Sequence, residues 1–516
     1  MNDNKISKNS IVAKFAVPIS FLILFFLAAN FTDCDLVTFW KRRSHLTDLV
    51  VDMIPPDFSY IQKILLPLFY TIQMSVTGTV LGIFFALVLS PFGAANLGFP
   101  AVIRRILRIV IQILRSFPAL ILALTATFLF GLGTFAGTFA ITLYTFAIMT
   151  KLTYEDASAA DVKAYQALRA MGVSKYVAYI HGILPEIIPG FLTNALYLLE
   201  TNVRHSSILG YVGAGGIGLL LNEKISWLEY DKVGTILLML FLTVCVIEYF
   251  SRYLAALIRK ERTIKKEQAR LLLLFLAALF LICTFTLSLP DFSRTSPQTL
   301  RNMFAGFLQP DWSFFFSAEK DGLGYLLLET VCIAFIGTVI GAIVSAPLAF
   351  LNTKRFVPAP VSFLFNLVIM VIRSVPFLVY GLIFIRVSGP GAFTGVLTLA
   401  VCSIGLLTKR FTEALDALDP RPYHALLAMG VRPLPAICHS VLPQLKPVFT
   451  SIILYRFDVN IREASVLGLV GAGGIGAPLI FSMNQYAWEK AGAIMLGLIL
   501  FVWFIDMVSE KIGAGN

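Results

Sequence analysis

The chain repeats itself, so whatever its first half folds into, its second half must fold into as well. Arg115-Ser116-Phe117-Pro118 returns 258 residues later as Arg373-Ser374-Val375-Pro376. At the same offset Ala170-Met171-Gly172-Val173 returns as Ala428-Met429-Gly430-Val431, and Leu184-Pro185 as Leu442-Pro443. The nonapeptide GYVGAGGIG at 210–218 returns as GLVGAGGIG at 468–476, identical at eight of nine positions. Gly78-Thr79-Val80 matches Gly337-Thr338-Val339 at an offset of 259, so a one-residue gap separates the two copies. Pro56-Asp57-Phe58-Ser59 is echoed by Pro310-Asp311-Trp312-Ser313.

The repeated unit cannot be a water-soluble fold. Of 516 residues 58% are hydrophobic and 14% charged, whereas soluble domains carry about a quarter charged. The net charge of +11 lies in short basic segments between long apolar runs, the pattern of positively charged cytoplasmic loops rather than of a nucleic-acid surface. A helix needs about 20 apolar residues to cross the hydrocarbon core. Such runs lie near 11–30, 66–91, 107–132, 134–150, 187–221 and 234–258, and again near 271–290, 325–350, 359–387, 391–408, 446–480 and 490–508. Those near 187–221 and 446–480 exceed one span and contain glycines, so each is expected to hold a helix plus a bent or re-entrant piece. The first run has Lys5 and Lys8 before it, as a signal peptide would. No small-residue cleavage site follows, and the run at 271–290 occupies the equivalent place, so it is read as a retained span. The expected fold is an all-α polytopic membrane protein, two repeats of about six transmembrane helices each.

The halves are taken as 1–258, with its core at 67–258, and 271–516, with its core at 325–511. Between them RKERTIKKEQAR at 259–270 holds six Lys/Arg against two Glu, which places it in the cytoplasm. An even number of spans per half then makes the repeats parallel, with both termini inside. Lys41-Arg42-Arg43 falls outside in this arrangement, close to Asp33, Asp35, Asp48 and Asp52.

One polar interruption in each half, at 151–185 and 409–443, is too long for a simple turn. Each opens with acidic residues (Glu155 and Asp161; Glu413 and Asp419), continues as an Ala/Leu-rich helical stretch, and reaches a glycine and then Leu-Pro. It either links two spans or forms a short helix that docks into a partner. Gln166-Ala167-Leu168, Gly172 and Leu184-Pro185 resemble the EAA signature of ABC importer permeases, a Glu-Ala-Ala, a glycine and a Leu-Pro. His424-Ala425-Leu426, Gly430 and Leu442-Pro443 resemble it equally. Both copies depart from the pattern: Gln166 and His424 stand where the signature has its acid, and Gly182 and Ser440 where it has an isoleucine. The resemblance covers about 67–258 and 325–511 and implies the type I importer permease fold. It also implies two ATP-binding (nucleotide-binding) subunits held by these loops, an extracytoplasmic solute-binding protein, and a place in the bacterial cell membrane. Within that family the Pro-Asp-aromatic-Ser segment, Arg-Ser-x-Pro, and Asn202-x-Arg204 followed by the glycine motif are most similar to phosphonate permeases. This chain looks like two such permeases fused, which implies a pathway for phosphonate or a related phosphorus oxyanion. Phosphite permeases look much alike.

Three groups of residues stand out as site candidates. Gly213-Ala214-Gly215-Gly216-Ile217-Gly218 satisfies G-x-G-x-x-G, and Asp231 and Glu489 lie 18 residues after Gly213 and Gly471. No strand precedes either copy, so a dinucleotide site is rejected. Gly213, Gly215, Gly471 and Gly473 are read instead as breaks in a membrane helix, placed where other groups satisfy the freed backbone. Glu200 and Arg204, like Asp458 and Arg462, are four apart on one helix and able to neutralise each other, either at a helix contact or along the pathway. Arg115 and Arg373 have no acidic neighbour in sequence. They face lipid headgroups or give the pathway a positive field.

No cofactor or metal site is expected, since the six cysteines and five histidines are scattered and no CxxC or HExxH occurs. The chain has no Gly-Lys dipeptide and hence no Walker A loop, so a transport subunit rather than an enzyme is expected, with ATP hydrolysis supplied by a separate subunit. Other readings are a permease for another small solute such as an amino acid, an ion-coupled secondary transporter, which would need no matched docking loops, and a membrane enzyme, which would need titratable groups clustered at one depth.

Overall fold

The computed structural model describes residues 19–259, 265–290, 297–317, 319–320 and 322–514, with no strand among them. Lys5, Lys8 and the 260–264 part of the basic linker lie outside the described residues. Among the described residues twenty-four α-helices follow one another. The first stretch holds α1 (Ile19–Phe31), α2 (Leu36–Lys41) and α3 (Arg43–Asp52). Next come α4 (Ile61–Gly93), α5 (Ala101–Ser116), α6 (Ala119–Phe130), α7 (Thr134–Ala159), α8 (Lys163–Ala170) and α9 (Lys175–Gly182). They are followed by α10 (Leu184–Leu209), α11 (Ile217–Ser226) and α12 (Tyr230–Ile258). The second pass gives α13 (Lys266–Phe285), α14 (Pro297–Leu308), α15 (Trp312–Phe315), α16 (Leu323–Asn352), α17 (Ala359–Ser374) and α18 (Phe377–Ser388). It ends with α19 (Ala392–Ala417), α20 (Arg421–Ala428), α21 (Pro433–Ala436), α22 (Leu442–Leu467), α23 (Gly476–Asn484) and α24 (Trp488–Ala514).

Among the described residues eight helices or helix runs are long and apolar enough to cross a bilayer, and counting each of three bent pairs as one span brings the number to eleven. With the shorter apolar α1, each of the twelve apolar runs has its counterpart. The runs at 107–132 and 359–387 are not straight spans: α5 meets α6 at 95° and α17 meets α18 at 87°. The repeated Arg-Ser-x-Pro is the elbow. Pro118 and Pro376 cannot donate a backbone hydrogen bond, and their rings push the preceding residue out of the helical region. Phe117 (φ −90°, ψ 129°) and Val375 (φ −76°, ψ 125°) are accordingly extended.

The compact units do not coincide with the sequence halves. One unit is Leu49–Phe304; the other joins the residues up to Asp48 to those from Ala305 onward. The leading helix of each half therefore packs with the other half's core. In the first unit α13 lies against α4, where the Gln73 side-chain amide donates to the Cys283 carbonyl (3.0 Å) and to Thr286 Oγ1 (2.9 Å). In the second unit α1 sets Phe21 against Phe335 and Phe31 against Tyr325, ring centroids 5.5 and 4.9 Å apart.

The central packing of each unit is the pair α4/α7 or α16/α19. Lipid is as apolar as leucine, so close backbone approach across small residues, not hydrophobic burial, holds such helices together. Gly78 and Gly82 face Ile141 and Thr145; Gly337 and Gly341 face Leu399 and Ser403. A Cβ on Gly82 would lie 2.7 Å from Thr145 Cβ and 2.9 Å from the Thr142 carbonyl oxygen. Gly82→Leu should therefore force the helices apart and destabilise the protein by about 1–3 kcal/mol, with Gly341→Leu doing the same. Thermal unfolding followed by size-exclusion chromatography in detergent reads this loss; unchanged midpoints for both would refute the packing argument.

Candidate functional site

The two polar interruptions fold alike. In the first, α8 runs to Ala170 and ends in a Schellman turn: the Gly172 amide donates to the Arg169 carbonyl (3.1 Å) and the Val173 amide to that of Leu168 (3.2 Å). In the second, Gly430 donates to Leu427 (3.0 Å) and Val431 to Leu426 (3.1 Å). Gly172 and Gly430 take φ of +86° and +82°, and a Cβ on either would meet nothing within 4 Å. They are glycines for the left-handed turn, not for close approach. Arg169 closes the first turn by donating to the Val173 carbonyl.

Each loop rests on a buried base and shows an open tip. Tyr165, Ala178, Tyr179, Ile183 and Ile187 pack with Ala94, Leu97 and Ala157, and Tyr165 Oη donates to the Leu97 carbonyl at 2.6 Å. In the second loop Val441 and Leu445 pack with Phe411 and Leu415, with Phe449 stacked on Phe411. Gln166, Ala167, His424 and Ala425 are exposed, as are Met171 (70%) and Met429 (78%). Leu184-Pro185 and Leu442-Pro443 start α10 and α22. Asp161 and Asp419 accept the amides of Lys163 (2.9 Å) and Arg421 (3.0 Å) at the start of α8 and α20. The Lys163 amide and ammonium hold the Asp161 carboxyl below the usual carboxylate range, and the Arg421 guanidinium and amide do so for Asp419. A lowered carboxylate stabilises above its ordinary pKa and loses that only as pH falls through the lowered value. Both caps thus hold at neutral pH and release in acid.

The glycine motif ends α10 and α22. After Leu209 and Leu467 a short 3₁₀ turn leads to Gly213, Gly215 and Gly216, and to Gly471, Gly473 and Gly474, all with φ between +76° and +83°. The freed amides are caught by the neighbouring helix. Ile217 donates to Thr71 Oγ1 (2.9 Å) and Ile475 to Thr330 Oγ1 (3.1 Å). The Gly133 and Gly391 amides donate to the carbonyls of Gly213 and Gly471.

Glu200 and Arg204 form an ion pair along α10, as Asp458 and Arg462 do along α22. Between each pair lies a buried asparagine. Asn202 Nδ2 donates to Thr79 and Thr145 hydroxyls, both at 2.8 Å, and Asn460 Nδ2 to Thr338 (2.7 Å) and Ser403 (2.9 Å). Each asparagine ties three helices together. Sequence reasoning gave these asparagines no role, although Thr79 and Thr338 sit inside the repeated Gly-Thr-Val. It also missed Arg456 and Glu463, a partly buried pair (2.8 Å) seven residues apart on α22; two apolar-run charges at that spacing share a helix face and could have been found. Arg115 and Arg373 occupy the last turn of α5 and α17, beside the elbows, and both make interactions there. The loops with the capped turns and the glycine loops lie at opposite ends of α10 and of α22. No group of three His, Cys, Asp or Glu among the described residues is placed to hold a metal.

A duplicated bundle of bent spans, each copy with a capped loop at one end of a helix and a glycine loop at the other, is a polytopic transport protein. The sequence profile of the binding-protein-dependent transport system inner membrane component matches residues 78–263 and again 337–512. The chain belongs to that family, the permease components of ABC importers, which work with ATP-binding subunits and a binding protein in the bacterial inner membrane. The phosphate-import permease protein PhnE of Mycolicibacterium smegmatis is 27% identical over 473 residues, 90% of this chain and 88% of that protein. The phosphite transport system permease protein PtxC of Stutzerimonas stutzeri is 36% identical over 184 residues, 36% of this chain and 67% of that protein. The putative cryptic phosphonate transport system permease protein PhnE2 of Escherichia coli K12 is 37% identical over 117 residues, 23% of this chain and 96% of that protein.

The asparagine clamps invite a direct test. Asn202→Leu or Asn460→Leu removes two interhelical hydrogen bonds and should lower thermal stability in nanodiscs by about 0.6–1.7 kcal/mol. Equal midpoints for both variants and the parent protein would show that the clamps hold nothing.

Proposed function

We propose that the chain carries a small phosphorus oxyanion (phosphonate, phosphite or phosphate) across the membrane in an ATP-driven importer. The observation that carries this reading is the likeness over 90% of the chain to a permease named for phosphate import, reinforced by phosphite and phosphonate permeases that are similar to 36% and 23% of it. One copy supplies both halves of the pathway and binds two ATP-binding subunits, one at each docking loop. The basic linker, both docking loops and both termini lie in the cytoplasm. The glycine loops and the turns after α11 and α23 then lie on the outside, where a solute-binding protein delivers the substrate.

The docking loops carry the coupling to ATP. A leucine in the left-handed region costs about 1–2 kcal/mol, and Gly172→Leu or Gly430→Leu would unmake a turn whose tip is exposed for a partner. Each variant should insert normally and bind ATPase subunits in a complex of one long chain to two short ones, yet hydrolyse ATP without matching uptake. Asn, which tolerates this conformation, should restore coupling. Normal uptake by both leucine variants would remove the docking assignment.

Arg115 and Arg373 supply positive charge at the elbows. They recur at the same place, the last turn before each elbow, which supports a working role, namely to offset the desolvation of a passing oxyanion. In proteoliposomes Arg115→Gln and Arg373→Gln should slow phosphonate uptake about tenfold while ATPase subunits stay bound. Parent-like rates would make the arginines headgroup anchors. A complex that carries only amino acids would overturn the phosphorus reading.

A further inference from the structure

The helices before the two elbows are the same element of the repeat, yet only the first is strongly basic. α5 reads AVIRRILRIVIQILRS and α17 reads APVSFLFNLVIMVIRS. Both keep the arginine of the last turn. At the offset of 258, however, Arg104, Arg105 and Arg108 become Ser362, Phe363 and Asn366. At 3.6 residues per turn the four arginines of α5 and Gln112 fall within about 100° of its circumference. Apart from Ser116 the rest of the helix is apolar. A helix with arginine on one side and aliphatic residues on the other belongs at a bilayer surface.

The fold brings the start of α5 to that level. α4 and α7 belong to runs long enough to span a bilayer, and the link from α4 to α5 is held to the end of α7. Asn96 Nδ2 donates to the Ala157 carbonyl at 2.9 Å. Arg108 donates twice to the carbonyl of Gly93, the last residue of α4 (3.1 and 2.9 Å), and its guanidinium lies over the Tyr154 ring at 5.0 Å. Arg108 is therefore used by the fold. Arg104 and Arg105 are not. Arg105 is exposed and Arg104 partly so, and neither forms a hydrogen bond or ion pair with a described residue. Around them Val102, Ile103 and Ile106 are 68%, 46% and 58% exposed. At the same places in α17, Ser362 is buried and its hydroxyl donates to the Asn352 carbonyl (2.6 Å), while Phe363 is exposed. That helix shows lipid an apolar row without charge.

We propose that the first two turns of α5 bind an anionic phospholipid. Arg104 and Arg105 hold its phosphate, which suits the guanidinium fork, and Val102, Ile103 and Ile106 lie along its acyl chains. The bilayer covers such a row on any spanning protein; the two cations select its charge. The inference rests on the membrane fold, not on the substrate or orientation proposed above. The experiment titrates the purified full chain in neutral detergent with phosphatidylglycerol or phosphatidylcholine and counts bound lipids by native mass spectrometry. Arg104→Ser with Arg105→Phe installs the residues that α17 already carries. This double variant should bind phosphatidylglycerol about thirtyfold more weakly, with phosphatidylcholine binding and the unfolding midpoint in detergent unchanged. Arg→Lys at both positions should restore most of the loss. Unchanged phosphatidylglycerol binding would overturn the inference. So would an equal loss for both lipids or a lowered midpoint, which makes the arginines fold elements. Displacement of the lipid by inorganic phosphate would make the pair a free-anion site and overturn it as well. Should the double variant not fold, the parent chain still decides: equal affinity for the two lipids refutes the site.

Discussion

Hydrocarbon offers no hydrogen bond, and an amide left without a partner there costs several kcal/mol. That constraint decides where this chain can stop being helical. Each half leaves the helix within its membrane segment at two places, the Arg-Ser-x-Pro elbow and the glycine loop, and each has a local remedy. At the elbow a proline has no amide to satisfy, and the Phe117 amide turns back to the Leu114 carbonyl. At the glycine loop Thr71 and Thr330 reach across from α4 and α16 to catch the first amides of the next helix. The threonines matter as much as the glycines, because the glycines open the backbone and the threonines close the account of its polar groups. The close α4/α7 and α16/α19 contacts in turn fix where those threonines stand.

Much of this was legible in the sequence. Span number follows from apolar length, and the two capped loops from a polar gap with a glycine and Leu-Pro, since both depend on residues close together in the chain. The glycine break could be read because its alternative, a nucleotide loop, needs a strand that the surrounding apolar runs do not allow. The elbow was not read: 107–132 and 359–387 were each taken as one span, although Pro118 and Pro376 stand at the bends of 95° and 87°. The exchange of leading helices was invisible. Nothing local to residues 19–31 says that they will meet Phe335 and Tyr325 rather than the helices next in the chain.

Charges inside the spans were read by their nearest partners. That found Glu200–Arg204 and Asp458–Arg462, whose four-residue spacing is a helix-neighbour rule. It did not find the role of the asparagines between them, because the Asn202 and Asn460 Nδ2 groups donate to hydroxyls on other helices 57 to 123 residues away. Buried polar groups of this kind are set by tertiary structure, and only the repeat hints at them.

Fusion of the halves changes what such groups can become. In a dimer of identical chains every substitution appears twice, once on each side of the axis. In this chain Arg456 and Glu463 pair on α22, while the equivalent positions on α10 are Leu198, which is buried, and His205, whose ring meets Tyr144. Glu329 accepts the Gly474 amide at 3.1 Å, where the first half has Tyr70. A buried ion pair is seldom a net source of stability and is retained where it specifies one arrangement over another. Carrying it once rather than twice halves the desolvation it costs and makes α10 and α22 unlike. The duplicated residues, the Asn clamps, threonine catches and capped loops, then define what both halves must do. The residues found in one half alone define where a fused permease departs from a symmetric one.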